Sequence, residues 1–265
     1  MSTVEATTPE LRHLPPTTGG TRIPVLRLFQ VELRKQVDTR AGAWLLAATA
    51  LVSVALAVLT LSTLDPDRLT WKELTASASY GLMILLPFVG VLAATSEWSQ
   101  RTGLTTFALE PRRTRVNLAK LTSSWLLGLA VLVVTLGVCA VLNIVGRLWR
   151  DGDGSWDLDG AALAGTALTM VLLMTQGVAF GLALLSTPIA IVLFLALPTA
   201  WSIVTAMVAR LEGAARWLDL NVTVEPLLAG DMTGQSWLRL AVSVAVWVVL
   251  PLAVGLWRTA RKDVA

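Results

Sequence analysis

Long apolar runs separated by short charged segments make up most of this sequence. The runs extend over residues 41–64, 74–96, 121–146, 160–209 and 240–257. A hydrocarbon core of about 30 Å takes roughly 20 helical residues, so four of the runs each match one membrane-spanning helix. The run over residues 160–209 would form a helix of about 75 Å at roughly 1.5 Å per residue, which is too long for one span and predicts two.

A break within the longest run is predicted at Ser186-Thr187-Pro188. Proline lacks a backbone donor and fits the first turn of a helix, so the second of the two spans would begin here. The chain is therefore predicted to be an all-α integral membrane protein with a six-span transmembrane domain over residues 41–258. The spans are predicted at about residues 42–63, 75–96, 122–145, 160–185, 188–209 and 237–257.

Basic residues are distributed unevenly between the two predicted sides of the membrane. Six spans place both termini on one side, and that side would hold fourteen of the 21 Lys and Arg residues. An excess of Lys and Arg favours the cytoplasmic side, so both termini are predicted to be cytoplasmic. Residues 1–22 are predicted to be a disordered cytoplasmic tail and residues 259–265 a second tail. No nucleic acid partner is expected, because the basic residues form no single patch.

Residues 23–40 have the periodicity of an amphipathic helix. Apolar side chains fall on one face of a helical wheel, and charged ones such as Arg27 and Asp38 fall on the other. This pattern predicts an interfacial helix on the inner leaflet, with membrane lipids as its partner and basic residues near anionic headgroups. A cytoplasmic helix packed on another protein is the alternative. The residues assigned to the interfacial helix site are Phe29, Leu33, Arg34 and Lys35.

The segment from Glu97 to Lys120 is the longest predicted cytoplasmic connection between two spans. Leu104, Phe107 and Ala108 stand at helical spacing, and a short helix would end near Leu109 because Pro111 disfavours helix just before it. A short helix with an apolar face and a basic flank is suited to docking in a groove of a partner protein. A solvated basic loop remains the alternative interpretation of the same composition.

The same segment resembles a known family. Similarity to the loop between the second and third spans of ABC-2 type transporter permeases is found at Glu97-Trp98, Arg101-Thr102-Gly103, Leu109-Glu110-Pro111-Arg112-Arg113-Thr114-Arg115 and Ala119-Lys120. Residues 186–192 look like the family's turn between spans four and five, although no basic residue precedes Pro188. Residues 215–218 and 226–230 look like its external segment before span six, although Asp219-Leu220-Asn221 departs from the pattern.

The resemblance implies a permease subunit of a bacterial ABC exporter in the inner membrane. In that family two permease subunits form the pathway and separate P-loop ATPase subunits bind ATP and Mg. No Gly-Lys dipeptide occurs in this chain, so no P-loop is available here and no cofactor is expected on it. The substrate would be a hydrophobic or amphipathic drug, antibiotic, lipid or peptide. The coupling site that the resemblance implies comprises Glu97, Arg101, Thr102, Gly103, Leu104, Phe107, Pro111, Arg112, Arg113 and Arg115.

The apolar runs contain no ionisable side chain apart from the single Cys139 and Tyr80, which argues against an ion-coupled carrier. Two alternatives remain, a membrane scaffold or assembly factor and, less favoured, an intramembrane hydrolase. The only histidine, His13, lies in the N-terminal tail, and every lysine lies outside the runs, so no catalytic or metal-ligating set is assigned. Four residues are left open between lining a pathway and packing helices together: Asn143, Gln176, Gly177 and Gly181.

Overall fold

The computed structural model describes residues 23–100 and 102–262, and within them every regular element is a helix. In chain order these are α1 (Val25–Asp38), α2 (Arg40–Thr63), α3 (Trp71–Leu85), α4 (Pro87–Ser99), α5 (Gly103–Leu109), α6 (Arg113–Arg150), α7 (Gly160–Leu184), α8 (Thr187–Met207), α9 (Glu212–Leu218), α10 (Leu220–Ala229), α11 (Gly234–Val244) and α12 (Leu250–Arg261).

Six helical segments of the described chain are long and apolar enough to cross a membrane, which confirms the predicted all-α, six-span architecture. The second segment is α3 continued by α4, and the sixth is α11 continued by α12 through a π-helical turn. The third, α6, has 38 residues and is about 57 Å long, so it extends beyond a hydrocarbon core of about 30 Å. Residues 1–22 and 263–265, where most of the two tails is predicted, lie outside the described residues.

Local sequence explains several of the helix boundaries. Thr39 lies between α1 and α2. Its side chain accepts a hydrogen bond from the Gly42 amide at 3.2 Å, as N-cap residues do. Asp159 accepts one from the Ala161 amide at 2.8 Å at the start of α7. Pro87 opens α4 after α3 ends, and Pro188 lies in the first turn of α8. The break between spans four and five therefore falls within the predicted turn.

Two of the six spans form the centre of the bundle. The most apolar window of the α3–α4 span is 72% buried within the protein, and that of α7 is 61% buried. The corresponding share is between 17% and 28% in the other four spans, which pack around these two. Their outward faces are apolar, as expected of helices that contact lipid hydrocarbon.

The central spans approach closely because α7 presents glycines to α4. A Cβ atom placed on Gly177 would lie 2.1 Å from the Pro87 carbonyl oxygen, and one on Gly181 would lie 2.6 Å from the Ala94 Cβ. Any larger residue at these positions would push the two helices apart. Of the two roles left open for this glycine pair, the structure supports helix packing.

The bundle has two distinct ends. The end called here the α1 end carries α1, α5, the start of α6 and the last turn of α12. The opposite end, called here the α10 end, carries α9, α10 and the connection between α6 and α7. At the α10 end a Cβ on Gly165 would overlap the Leu227 carbonyl, so α10 lies directly against the start of α7.

Candidate functional site

The connection between the second and third spans is closed at its base by an ion pair. The Lys120 ammonium lies 3.1 Å from Oε1 of Glu97. Glu97 is near the end of α4 and Lys120 lies two turns into α6, so the pair joins the first and last residues of the 97–120 loop. The loop is therefore a closed hairpin, with its two ends fixed to each other.

Two residues of α1 complete an alternating cluster of four charges, called here the ion cluster: Glu32, Lys35, Glu97 and Lys120. Lys120 lies 2.7 Å from Oε2 of Glu32, and Lys35 lies 2.7 Å from Oε1 of the same carboxylate. The Lys35 ammonium also lies 2.9 Å from Oε1 of Glu97. Each lysine thus contacts both carboxylates, and the cluster has no net formal charge.

Most of the ion cluster is shielded from solvent. Lys120 is 1% exposed, Glu32 3% and Glu97 4%. Charges buried this deeply are tolerated only when each has a close partner of opposite charge. Burial alone would lower the pKa of the Lys35 side chain, but the attraction of Glu32 and Glu97 outweighs it and raises that pKa above its ordinary value.

Neutral polar groups continue the contact between α1 and α6. The Gln36 amide donates to Ser123 Oγ at 2.7 Å, and Ser124 Oγ donates to Gln36 Oε1 at 3.3 Å. The side of α1 that faces the protein therefore combines polar groups with the partly buried Phe29 and Leu33, while Val25 and Leu26 remain exposed. The interfacial position of α1 stays a prediction.

The four residues assigned to the interfacial helix site have different environments. Phe29 and Leu33 are partly buried, and Leu33 packs against the hydrophobic core around Leu82 and Leu86. Arg34 is exposed and pairs with Asp38 at 2.6 Å. The Lys35 ammonium is held by the two carboxylates of the ion cluster, and its assignment to the interfacial site stays a prediction.

Above the ion cluster, two of the predicted coupling arginines bind the protein itself. Arg115 lies 2.5 Å from Oε2 of Glu110 and donates to the Ile23 carbonyl at 2.9 Å. Arg113 donates to the Thr259 carbonyl at 2.8 Å, which fixes the start of α6 to the end of α12. Together with the buried Glu97, these residues hold the loop in place, and their role in coupling stays a prediction.

Other predicted coupling residues are accessible at the α1 end. Leu104 is 55% exposed and Leu109 is 70% exposed, so α5 carries apolar side chains that no described residue covers. Thr102, Pro111 and Arg112 are also exposed. Gly103 and Phe107 belong to α5, although the Phe107 side chain and the whole of Arg101 lie outside the described part of the chain.

Asn143 and Gln176, which the sequence leaves open between lining a pathway and packing helices, have different contacts in the structure. The Asn143 amide donates to the carbonyls of Gly154 and Ser155 at 3.2 and 3.3 Å, so it holds the connection between α6 and α7. Gln176 is 2% exposed and lines a cavity of about 730 Å³ between α3, α7, α8 and α10. The structure therefore supports a packing role for Asn143, whereas Gln176 lines a cavity.

The sequence pattern does not predict which charged residues form ion pairs with Glu97. The pattern assigns Glu32 and Gln36 to no site, and it indicates Lys120 only as the end of a basic loop. A signal is present, because Glu32 falls at the edge of the apolar face of the wheel, beside Val25, and Lys120 directly precedes an uncharged run. Charged residues at such positions need partners, but the wheel cannot show which ones.

The fold and this site define a multi-pass α-helical membrane protein whose 97–120 loop rests on a buried ion cluster. In the described ranges no group of three or more His, Cys, Asp or Glu residues could hold a metal ion. Neither a scan against protein-family models nor a search of curated proteins finds a match to the chain. Any more specific function therefore rests on the residues and geometry of the chain.

Proposed function

We propose that this chain is the permease subunit of an ABC exporter, and that α5 is the element through which a separate ATPase subunit acts on it. The observation that carries the proposal is the closed 97–120 hairpin. It presents exposed apolar side chains on α5 and is fixed at its base by buried ion pairs to α1, α4 and α6. The motif resemblance of this loop to ABC-2 type permeases supports the same conclusion.

Rigidity at the base of the loop supports a mechanical role. A force applied to a flexible loop is lost in bending, whereas a hairpin with both ends fixed passes it to the helices that it joins. Movement of the ATPase subunits would displace α5, and the ion cluster would carry that displacement into α4, α6 and α1 together. Because α4 packs tightly on α7 through Gly177 and Gly181, the displacement would reach the centre of the bundle.

The proposed complex divides binding of nucleotide and formation of the pathway between different chains. ATP and Mg would be bound by the P-loop partner, and a second copy of this chain or a paralogue would supply the other half of the pathway. The cargo would be a hydrophobic or amphipathic molecule such as a drug, antibiotic, lipid or peptide. The mostly apolar cavity lining, and the lack of Asp, Glu, Lys, Arg and His in the apolar runs of the sequence, are consistent with ATP-driven export.

This function requires the α1 end to face the cytoplasm of a bacterial cell, with both termini on that side of the inner membrane. In a Cys139→Ser background, cysteine introduced at Arg210 should react with a membrane-impermeant maleimide in intact spheroplasts. Cysteine introduced at Arg112 should react only after permeabilisation. Labelling of the Arg112 position in intact spheroplasts would place α5 on the wrong side for an ATPase and reject the proposal.

Association with an ATPase tests the proposal directly. We expect a P-loop ATPase to be encoded beside this chain. Coexpressed with the chain, that ATPase should copurify in detergent, and its ATP hydrolysis should respond to reconstitution with the chain in nanodiscs. The control is an ATPase variant whose P-loop lysine is replaced, which should copurify and hydrolyse nothing. A chain that purifies with no ATPase would favour the scaffold or assembly-factor interpretation instead.

A further inference from the structure

The cavity between α3, α7, α8 and α10 is lined by the polar side chain of Gln176. The residue is 2% exposed overall, and its amide is not among the fully buried atoms that lack a partner, so it is reached from the cavity, where no described residue forms a hydrogen bond with it. A primary amide can donate two hydrogen bonds and accept two, and leaving it unpaired in an apolar bundle costs free energy. A ligand that supplies these bonds would recover that free energy on binding.

Three hydroxyl groups of the cavity wall already donate hydrogen bonds within their own helices. The hydroxyls of Ser79, Thr166 and Thr169 each donate to a carbonyl one turn earlier in their own helix, at 2.8 to 2.9 Å. Such bonds leave each hydroxyl only its weaker accepting capacity. Among the buried polar side chains of the cavity wall, Gln176 is therefore the one with both donors and acceptors available.

The cavity is lined by a single charged residue, the acidic Glu225. Glu225 of α10 is the only ionisable acid or base among the lining residues, apart from the phenol of Tyr80, and it forms no ion pair with any described residue. Its carboxylate is exposed at the α10 end, and the rings of Tyr80 and Phe194 also line the cavity. A cavity that contains a carboxylate and aromatic rings favours a cation over a neutral molecule or an anion.

The volume of the cavity indicates the size of the molecule that it could bind. A volume of about 730 Å³ falls within the range of roughly 300 to 1,000 Å³ typical of sites for drug-sized molecules. From the volume, the unpaired amide, the lone carboxylate and the apolar wall, we infer that this cavity binds an amphipathic organic cation that carries a hydrogen-bonding group. Its use as a substrate site of an exporter rests on the proposed function, whereas binding itself does not.

Two ions of matched shape and opposite charge test the charge preference. The purified chain in phosphatidylcholine nanodiscs should bind tetraphenylphosphonium saturably in isothermal titration calorimetry, and tetraphenylborate at least roughly fivefold more weakly, relative to empty nanodiscs. Glu225→Gln should remove most of this difference. The control Asp231→Asn removes an exposed carboxylate just after α10 that does not line the cavity, and should leave the preference unchanged.

Rhodamine 6G, a fluorescent cation with N–H donors and an ester carbonyl, tests the amide. Gln176→Leu should weaken its binding roughly fivefold and leave thermal stability unchanged or higher, because the amide has no partner to lose. A clear loss of stability in Gln176→Leu would show that the amide is structural and overturn its role in binding. Equal binding of the two tetraphenyl ions, or no saturable binding because lipid or a second copy fills the cavity, would overturn the cation site.

These measurements use no ATPase, so they separate the two proposals. Absence of a charge preference while the ATPase still copurifies would reject the cavity site and leave the permease function standing. A charge-selective site in a chain that recruits no ATPase would establish the binding site and reject the permease function.

Discussion

Replacement of Lys120 by methionine is expected to destabilise the folded protein severely. The change removes one cation of the ion cluster and leaves Glu32 and Glu97, both almost fully buried, with only Lys35 between them. Breaking a buried ion pair by removing one partner costs about 3 to 5 kcal/mol, because the remaining charge stays desolvated. We therefore expect a large drop in melting temperature and poor recovery of folded protein.

The melting temperature can be measured through the reactivity of Cys139. It is the only cysteine of the chain and is fully buried, so a thiol-reactive dye reports unfolding as this side chain becomes accessible. The matched control is Arg34→Met, which breaks the exposed ion pair between Arg34 and Asp38. Exposed pairs contribute about 0 to 1 kcal/mol, so the control should melt close to the unchanged protein.

A second substitution separates loss of charge balance from loss of packing. Adding Glu97→Gln to Lys120→Met removes the surplus negative charge and leaves the pair of Lys35 and Glu32, so the double variant should be more stable than Lys120→Met alone. A Lys120→Met protein that melts like the unchanged chain would show that the ion cluster does not hold the loop. It would also remove the observation on which the proposed function rests.

The second large effect is expected on association with the ATPase subunit. Leu104→Glu should lower copurification of the ATPase at least about tenfold, because a charge would replace an exposed apolar side chain of α5 at the centre of the proposed contact. Arg112→Glu should lower it as well, since the side chain is exposed beside α5 and its charge is reversed. Neither change touches the ion cluster, so the melting temperature of the chain should stay the same.

Arg210→Glu is the matched control for Arg112→Glu, because it reverses an exposed charge at the α10 end of the bundle. Leu104→Met keeps the apolar contact and should retain the ATPase. Arg113 is a poor choice for this experiment, since its guanidinium holds α12 through the Thr259 carbonyl and its reversal would disturb packing. Full copurification with both Leu104→Glu and Arg112→Glu would exclude α5 as the docking element.

The sequence alone determined the class of fold. Run lengths and charge positions are properties of local sequence, and the hydrocarbon core imposes one length on every span, so counting residues was sufficient for six helices. The position of Pro188 determined the predicted break between spans four and five, and this residue lies in the first turn of α8. The short helix α5 followed from local apolar spacing and from Pro111.

Only the tertiary structure decided which polar residues act together. Glu32 and Lys120 are 88 residues apart, yet they form a buried ion pair. Asn143 and Gln176 are both amides within apolar runs, yet Asn143 holds the connection between α6 and α7 and Gln176 lines a cavity. A helical wheel gives the direction of a side chain but not what lies opposite it. The ion cluster and the cavity with Gln176 and Glu225 depend on how helices distant in the chain pack, and packing is decided by the whole bundle at once.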